Sequence, residues 1–517
     1  MEKKSSGVLN MHKKLVAVLA ILCVMLVVGF AYYIKSNMKT VENIPQEIEA
    51  TEEAKTETPI KNDAEPAPAV IETKNIDSQN QILFKNVNIF DGTSEKLHQN
   101  MNVLVSDNLI AKISNTKISH NKNAKIIDAK GKTLMPGLID GHTHFTFAIE
   151  GGLVAAENSH WSYLGAMATY AAKEHLYNGF TTAREAGGGA IGSGFKKAID
   201  EGFVEGPRIY PSGAFVSQTS GHGDFLTYGQ LYQEENNLVR LGYTIVADGE
   251  DEVTKAVRKA LSMGASQVKL MISGGISSEK DPMHSSQYNA KEIRAAVEAA
   301  KAWDTYIAAH IYNDKDIVRA LENGVLSIEH GQFITKKTAE LLKAKGAFLV
   351  PNLAALSQDI FKHPVYGNKE GVQYPKVKQF MEGAKNFKNI LNTVDMKIVF
   401  NSDMVFTVGE DLRRGLDYEK YMVSQYLGNF RALKAMTSTA GELMALSGKQ
   451  NPYPHKLGVI EVGAYADILV VDGNPLEDMS AIGANPKFLD APARKMDIPT
   501  IRIIMKNGEI YKNTLQN

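Results

Sequence analysis

The sequence predicts an α/β protein whose main part is a (β/α)8 TIM barrel, with a small β-sandwich domain beside it. Between residues 135 and 454, eight short apolar runs alternate with amphipathic helical patterns, and several of these patterns end at a glycine, where helices commonly stop. Strand-rich segments flank this middle part on both sides. The eight predicted barrel strands are residues 138–144, 180–185, 208–214, 267–273, 305–310, 325–330, 347–352 and 397–403.

Length and composition exclude several classes of protein. The chain has 517 residues, enough for about three domain-sized units or for one large barrel with additional segments. It carries 57 basic and 58 acidic side chains, and this balance argues against a nucleic-acid partner, which a basic excess would favour. The sequence contains one cysteine, Cys23, and therefore neither a disulfide framework nor a cysteine zinc cluster. A metal site must use histidine, carboxylate or modified lysine.

The N-terminal segment is predicted to lie outside the folded body. Residues 15–34 form an almost unbroken apolar run, which as a helix would reach about 30 Å, the thickness of a bilayer's hydrocarbon core. Residues 1–14 carry four lysines, which the positive-inside rule places in the cytoplasm. We therefore expect a membrane-anchored protein whose body lies outside the cytoplasm, either periplasmic or extracellular. Cleavage of the run as a signal peptide, which would release a secreted protein, is the alternative.

Two further regions complete the predicted domain organisation. Residues 35–80 contain several prolines and many more acidic than basic side chains, which is typical of a disordered, extended linker. Residues 81–134 and 455–517 contain short strand patterns separated by turn residues. Because these two segments are the ends of the folded region, we expect them to form one composite β domain next to the barrel of residues 135–454.

Polar side chains end several of the predicted barrel strands. His142 and His144 end the first strand and, as residues i and i+2, point to the same face. His310 ends the fifth strand, His330 the sixth and Asp403 the eighth. Chemistry in such barrels gathers at the carboxyl ends of the strands, and imidazole and carboxylate are common metal ligands. Although a single histidine at a strand end is more often a hydrogen-bonded core residue, these residues together predict a metal site.

Lys269 lies inside the apolar fourth strand. In most proteins such a lysine pairs with a carboxylate or extends to the surface. An interior barrel position gives it no route to water, and burial then favours the neutral, nucleophilic amine. A neutral lysine amine can add carbon dioxide and become a carbamate, which offers two oxygen atoms to metal ions. The position therefore predicts a carboxylated Lys269 that bridges two cations.

Several stretches of the sequence resemble a known family. Residues 135–144, MPGLIDGHTH, resemble the opening signature of the amidohydrolase superfamily. Residues 220–224 (SGHGD), 269–277 (KLMISGGIS) and 327–331 (SIEHG) are similar to motifs of its branch of metal-dependent Xaa-Pro dipeptidases and related carboxypeptidases, which are relatives of the imidazolonepropionases. Residues 463–475 resemble the C-terminal β-domain signature of the superfamily. The resemblance extends over almost the whole folded region.

Position by position, the resemblance implies two divalent metal ions, and the ligand types suggest zinc. It assigns His142 and His144 to the more buried ion. It assigns His310 and His330 to the other ion, with the carboxylated lysine as the bridge between the two. Asp403 would bind the buried ion and act as the catalytic general base.

The resemblance also implies a reaction and a substrate. A hydroxide shared by the ions would hydrolyse an amide or peptide bond, while His222, Tyr312 and Arg184 would bind a free C-terminal carboxylate. The expected enzyme is a dipeptidase or carboxypeptidase that acts on small peptides or amides. Two alternatives stay open: hydrolysis of a cyclic amide, as by imidazolonepropionases, and a non-catalytic barrel that binds ligands at the cell surface. A catalytically dead barrel would tolerate the loss of a ligand, yet all six are present. Assembly into a homo-oligomer also stays open.

Overall fold

The computed structural model of the chain describes residues 80–226 and 236–515. The predicted cytoplasmic tail (1–14) and membrane segment (15–34) lie outside these residues, as does nearly all of the predicted linker (35–80). Within the described ranges, no helix combines the length and the apolar character needed to cross a bilayer.

Strands and helices alternate through the middle of the chain. The strands of the described residues are β1 (Gln81–Ile89), β2 (His98–Ser106), β3 (Leu109–Ser114), β4 (Lys125–Asp128), β5 (Thr133–Pro136), β6 (Leu138–Thr143), β7 (Phe180–Glu185), β8 (Arg208–Pro211), β9 (Phe215–Ser217), β10 (Thr244–Val246), β11 (Val268–Met271), β12 (Ile307–Ile311), β13 (Ser327–His330), β14 (Phe348–Val350), β15 (Lys397–Ile398), β16 (Ile468–Val471), β17 (Ile501–Lys506) and β18 (Glu509–Asn513). Each predicted barrel strand overlaps an observed one.

The helices follow the barrel strands in sequence. The α-helices of the described residues are α1 (Gly152–Glu157), α2 (Trp161–Tyr177), α3 (Gly189–Asp200), α4 (Asn237–Arg240), α5 (Glu250–Ser262), α6 (Ala290–Lys301), α7 (Asp314–Glu322), α8 (Lys336–Ala344), α9 (Gln373–Gly383), α10 (Phe387–Thr393), α11 (Gly409–Leu427), α12 (Asn429–Ala435) and α13 (Ser438–Ala445). In α5, for example, apolar residues three and four positions apart form one buried face. The chain leaves α5 through Gly264, whose φ of +93° is one that other residues rarely adopt.

The barrel strands are paired in parallel. β6, β7 and β8 form one ladder, and β9 to β15 form the other. The third predicted strand, residues 208–214, ends earlier than expected, as β8 at Pro211, and β9 begins after it at Phe215. The backbone N–H of Gly141 in β6 donates to the carbonyl oxygen of Phe400, just after β15, at 2.9 Å, which closes the barrel. A side chain at Gly141 has no space, because its Cβ would lie 2.4 Å from Cγ1 of Val399.

Strands from both ends of the described region share one sheet. Its order is β18-β17-β16-β5-β1-β2-β3, with β4 also paired to β1. The predicted sandwich implied two separate sheets, whereas these strands belong to one, because β1 pairs with β4 through Ile82–Lys85 and with β5 through residues 88–89. A register shift after Phe84 bends β1. One apolar cluster of this domain receives side chains from β1 to β5, β16 and β17.

The small domain contacts the amino ends of the barrel strands. The carboxylate of Asp467, just before β16, accepts a hydrogen bond from Nε of Arg208, at the start of β8, at 3.0 Å. The carbonyl oxygen of Asp467 also accepts from the N–H of Gly137, just before β6, at 2.8 Å. The opposite, carboxyl ends of the barrel strands are therefore left for a functional site.

Candidate metal centre

All six predicted ligands lie together at the carboxyl ends of the barrel strands. Nε2 of His142 lies 3.1 Å from Nε2 of His144 and 3.2 Å from Nζ of Lys269. Oδ1 of Asp403 lies 3.5 Å from Nε2 of His144. His142, His144 and Asp403 each offer one ligand atom, and these atoms lie within 4.8 Å of one another.

His310 and His330 complete the group. Their ring centroids are 4.6 Å apart, and the ring of His330 lies 5.2 Å from that of His142. Oδ2 of Asp403 lies 3.8 Å from Nδ1 of His330. Asp403 therefore lies close to histidines of both predicted pairs, through different carboxylate oxygens.

The backbone is strained at two of these strand ends. Asp403 has a φ of +43° and His330 a φ of +70°, both in the left-handed region that residues other than glycine rarely adopt. Such conformations cost of order 1–3 kcal/mol and are found preferentially at functional sites. Neighbouring residues of a strand normally point to opposite faces. The left-handed φ of His330 breaks this alternation in β13, so both Glu329 and His330 point into the barrel interior.

Glu329 connects His142 to Arg184. Oε2 of Glu329 lies 2.7 Å from Nδ1 of His142, and both side chains are fully buried. The guanidinium of Arg184 donates to both oxygens of Glu329, at 2.8 and 2.7 Å, and Nε of Arg184 donates to the carbonyl oxygen of Gly141. Arg184 is 0% exposed, so its charge supports the predicted ligand His142 from inside the barrel and does not line the cleft. Arg184 therefore lies outside the cleft in which the sequence predicted it to bind a carboxylate.

Two other histidines are oriented in the same way. Nδ1 of His144 lies 3.2 Å from the carbonyl oxygen of Gly187, and Nδ1 of His330 lies 3.2 Å from Oδ1 of Asn352. A proton held on Nδ1 by such an acceptor leaves the Nε2 lone pair for a metal ion. Sequence reasoning missed Glu329 and Asn352, although Glu329 stands beside a predicted ligand in the SIEHG stretch.

Burial keeps the cluster's imidazoles neutral. The pKa values of His142, His310 and His330 lie well below the usual range because the rings are desolvated, and nearby charge, including that of Lys269, lowers them further. Burial also lowers the pKa of Lys269 to about 8, although the carboxylates of Glu329 and Asp403 favour its charged form. Burial raises the pKa of Asp403 to about 7, against the opposite effect of Lys269. The histidines are thus in the form that binds metals.

The donor set fits divalent cations. The Nε2 atoms of His142 and His144 face each other at 3.1 Å, while each Nδ1 lies beside an acceptor oxygen, so a cation between the two Nε2 lone pairs would stabilise the arrangement. A pair of nitrogens about 2.0–2.1 Å from one zinc ion has a similar separation. Nε2 of His310 is buried and has no hydrogen-bond partner. Such an atom is costly unless it binds a ligand.

A cleft of roughly 570 Å³ opens above the cluster, and His222 lies in its wall. The His222 ring stacks on that of His310, with centroids 4.2 Å apart. Nδ1 of His222 lies 2.9 Å from Oγ of Ser278 and 2.9 Å from Oδ2 of Asp281. The ring covers Gly275, where a Cβ would lie 2.1 Å from Cε1 of His222. Because Gly275 has no side chain, the ring of His222 can occupy this position.

Tyr312 lies in the same wall as His222. Its ring centroid is 5.0 Å from that of His310 and 5.2 Å from that of His330. Burial raises the pKa of Tyr312 well above the usual range, so its hydroxyl stays protonated and can donate a hydrogen bond. The opposite wall of the cleft is apolar and consists of Phe147, Leu153, Phe215, Phe225, Met271 and Phe406.

The chain is similar to known proteins over most of its length. Residues 133–512 match the Amidohydrolase family. The chain is 27% identical over 452 residues to the ochratoxinase of Aspergillus niger, an alignment that covers 82% of this chain and 85% of that protein.

Two solved structures are similar to this one over most of the chain. A prolidase crystallised with N-methylphosphonate-L-proline has a TM-score of 0.74 and 32% identity, and the match covers 84% of this chain and 100% of that one. A Xaa-Pro dipeptidase with methionine bound in its active site has a TM-score of 0.70 and 26% identity, with the same coverage of the two chains.

Proposed function

Because this chain belongs to the Amidohydrolase family, we propose that it is a metal-dependent hydrolase that cleaves an amide or peptide bond next to a free C-terminal carboxylate. The observation that carries the proposal is the stacking of His222 on the ligand His310. It places a group that can bind a carboxylate directly beside the metal ligands. The prolidase and the Xaa-Pro dipeptidase among the similar structures support the same class of substrate.

The electrostatics of His222 suit a carboxylate. Burial raises the pKa of Asp281, but the charge of His222 and hydrogen bonds lower it more, so Asp281 is ionised. Asp281 faces Nδ1 of His222 at 2.9 Å, which leaves Nε2, on the other side of the ring, for a substrate. The hydroxyl of Tyr312 adds a second donor in the same wall. A substrate carboxylate would thus receive charge-assisted hydrogen bonds.

We assign the ligands as the sequence suggested. His142, His144 and Asp403 would hold one divalent ion, and His310 and His330 a second. When bound, the ions would lower the pKa of a water molecule and polarise the substrate carbonyl. Lys269 would join the pair as a carbamate: its neutral amine adds carbon dioxide, a C–N bond forms and one proton is released.

Asp403 is the residue that moves protons. It is 20% exposed at the side chain, and the cleft reaches it. During attack on the carbonyl carbon, its carboxylate accepts a proton from the incoming water. It then delivers that proton to the amine nitrogen as the C–N bond breaks, which gives a carboxylic acid and a neutral amine. The acid passes its remaining proton to the amine or to solvent, so the acyl product leaves as a carboxylate.

The cellular part of the proposal comes from the sequence alone. We propose that residues 15–34 anchor the enzyme in a membrane with residues 81–517 outside the cytoplasm. An external protease added to intact cells should then cut within residues 35–80 and release an active fragment. Protection of the body in intact cells, with cleavage after lysis, would contradict this topology in a cell that has a single membrane.

The carboxylate assignment has a direct test. A panel of dipeptides and N-acylated amino acids, including Xaa-Pro and Xaa-Arg members, is assayed with defined metals to find a substrate. That substrate is then compared with its C-terminal amide in the wild type and in His222→Ala. Hydrogen bonds to charged groups contribute about 1.5–3 kcal/mol, so the amide should lose roughly ten- to a hundredfold in kcat/KM in the wild type only. Equal cleavage of both by the wild type would contradict the proposal.

A further inference from the structure

Lys376 holds the loop that carries the hydrogen-bond partners of His222. This lysine lies in α9, and its side chain is 13% exposed. Its Nζ donates to three backbone carbonyl oxygens, those of Gly275 at 2.9 Å, Ser278 at 2.7 Å and Asp281 at 2.8 Å. An ammonium group has three N–H donors, so these carbonyls use all of them. Lys376 does not line the cleft above the predicted metal ligands.

The same three loop residues also contact the ring of His222. The ring lies over Gly275, and its Nδ1 lies 2.9 Å from Oγ of Ser278 and 2.9 Å from Oδ2 of Asp281. The N–H of Gly275 also donates to Oδ2 of Asp281 at 2.8 Å. Each of the three residues therefore contacts Lys376 through its carbonyl oxygen and His222 through another atom. A shift of these carbonyls would change the surroundings of the ring.

The start of this loop is held independently of α9. The N–H of Gly274 donates to the carbonyl oxygen of Ser285 at 3.1 Å. The predicted metal ligand Lys269 lies earlier still, inside β11. Loss of the Lys376 ammonium should therefore loosen residues 275–281 without displacing a metal ligand.

α9 also contacts the other predicted carboxylate-binding residue. The ring of Phe380, which is 0% exposed, packs edge-on against Tyr312 with centroids 5.3 Å apart. Nε2 of Gln373 donates to the carbonyl oxygen of Ser277 at 3.1 Å, which gives the helix a further hold on the loop. One helix thus supports both His222, through the loop, and Tyr312, through Phe380.

We propose that Lys376 is a positioning residue for substrate binding, whose ammonium group holds residues 275–281 so that His222 faces the substrate carboxylate. The inference rests on the proposed function, in which His222 binds that carboxylate. Lys376 acts through the loop and touches neither the substrate nor the metal site. Its loss should therefore weaken substrate binding and leave proton transfer by Asp403 largely unchanged.

The first experiment compares Lys376→Met with Lys378→Met, using the substrate that the dipeptide and N-acyl panel identifies. Methionine keeps most of the apolar stem of lysine but cannot donate to the carbonyls. We expect Lys376→Met to raise KM about tenfold or more, to change kcat less than about threefold, and to lose most of the preference for the substrate over its C-terminal amide. Metal content should stay unchanged. Lys378 is exposed in the same helix and lies over the ring of Tyr374, so Lys378→Met should behave as the wild type.

The possible results separate this inference from the proposed function. If Lys376→Met keeps both the KM and the preference for the free carboxylate, the inference is overturned and the proposed function stands. An equal loss with the substrate and its amide, or a loss of bound metal, would give Lys376 a general structural role and also overturn it. A wild type without any preference would contradict the proposed function, and this inference with it.

The second experiment returns the ammonium group chemically. Cys23 is the single cysteine of the sequence, so Lys376→Cys combined with Cys23→Ser carries one thiol. Alkylation of that thiol with 2-bromoethylamine forms an S–C bond, releases bromide and yields a side chain that ends in an ammonium group at nearly the length of lysine. Mass spectrometry confirms the label. Alkylation with 1-iodopropane places a methyl group where the ammonium would be and is the matched control.

Only the aminoethylated protein should regain the KM and the carboxylate preference of the wild type. A fully aminoethylated protein that stays defective would show that the ammonium group does not position His222. Equal recovery with the propyl group would show that the length of the side chain, and not its hydrogen bonds to the carbonyls, is what the loop requires. Either result would overturn the inference.

Discussion

Oε2 of Glu329 lies 2.7 Å from Nδ1 of His142, a proposed metal ligand, and both side chains are buried inside the barrel. The contact fixes the tautomer of His142, so that Nε2 faces the other ligands. Arg184 holds Glu329 in place from the far side through two hydrogen bonds. The geometry of the proposed metal site therefore depends on a buried ion pair that does not line the cleft.

Glu329→Gln should weaken metal binding and destabilise the fold. Loss of a partner that orients a ligand lowers metal affinity about 10- to 100-fold. The substitution also leaves the charge of Arg184 unpaired, and breaking a buried pair in this way costs about 3–5 kcal/mol. Competition with a metal chelator and denaturant unfolding measure the two effects.

The double variant Arg184→Met with Glu329→Gln is the control for that experiment. Both charges of the Arg184–Glu329 pair are removed in this variant, so neither is left unpaired. Much of the free energy of unfolding that Glu329→Gln loses should therefore be recovered. Metal affinity should stay low, because His142 still lacks its carboxylate. Normal metal affinity in Glu329→Gln alone would contradict the role given to this residue.

Lys269→Ala should lose most bound metal and activity. Short carboxylic acids such as propionate should partly restore activity, because they can occupy the place of the carbamate. Lys420→Ala is a matched control: Lys420 is equally buried, and its pKa is also lowered by burial, to about 7, but it donates to the carbonyl oxygens of Asn178 and Ile482. That variant should be less stable yet bind metal normally. Near-normal metal content in Lys269→Ala would exclude the bridging role.

Asp403→Asn separates metal binding from proton transfer. The amide keeps an oxygen ligand but cannot accept the proton of the attacking water, so kcat should fall about 10²-fold or more. Metal analysis of the same preparation shows whether the loss comes from the ion or from the base. A variant with full metal content and a kcat within about threefold of the wild type would mean that another group is the base.

Gly275→Ala should displace His222 without changing any metal ligand. The new Cβ would lie 2.1 Å from the ring, so His222 must move away from its position over Gly275. We expect KM for carboxylate substrates to rise about tenfold or more, with unchanged metal content. Gly194→Ala is the matched control, because a Cβ at that helix position meets no atom within 4 Å. Unchanged KM in Gly275→Ala would argue against substrate binding by His222.

Glu419 should make the stability of the fold depend on pH. Burial raises its pKa from 4.5 to about 8, although the N–H groups of Leu353 and Ala354 donate to its carboxylate. Between these pH values the folded state keeps a proton that the unfolded state has lost, so rising pH favours unfolding. The stabilisation of the folded state by the protonated Glu419 carboxyl is fully present below pH 4.5 and is lost by about pH 8.

Denaturant unfolding of the wild type and Glu419→Gln at about pH 5 and about pH 8 measures this contribution. The loss of stability on going to the higher pH should be smaller in the glutamine variant. An identical loss in both proteins would show that Glu419 does not titrate in this range.

The barrel and its ligand cluster could be predicted because two simple rules applied. Short apolar runs separated by amphipathic helices gave the strands, and the carboxyl-end rule gathered polar residues that lie far apart in sequence, such as His142 and Asp403. These rules need no knowledge of side-chain direction. They predict where the site lies but not which buried residues orient its side chains.

The supporting residues could not be predicted because they depend on local backbone geometry. Strand alternation places Glu329 and His330 on opposite faces, and the left-handed φ of His330 overrides that rule. Arg184 looked like a residue at the mouth of the site, but its partner lies 145 positions later in the chain.

The sheet built from both ends of the described region limits how much of the protein can fold during its synthesis on the ribosome. β5 pairs with β16 through Met135 and Leu469, so the first half of the sheet is made hundreds of residues before its partner. Until the last strands emerge, β5 exposes an unpaired, apolar edge of the kind that promotes aggregation. Pairings this distant also form slowly. A nascent chain that stalls before residue 468 would therefore carry every proposed metal ligand and still be a substrate for chaperones.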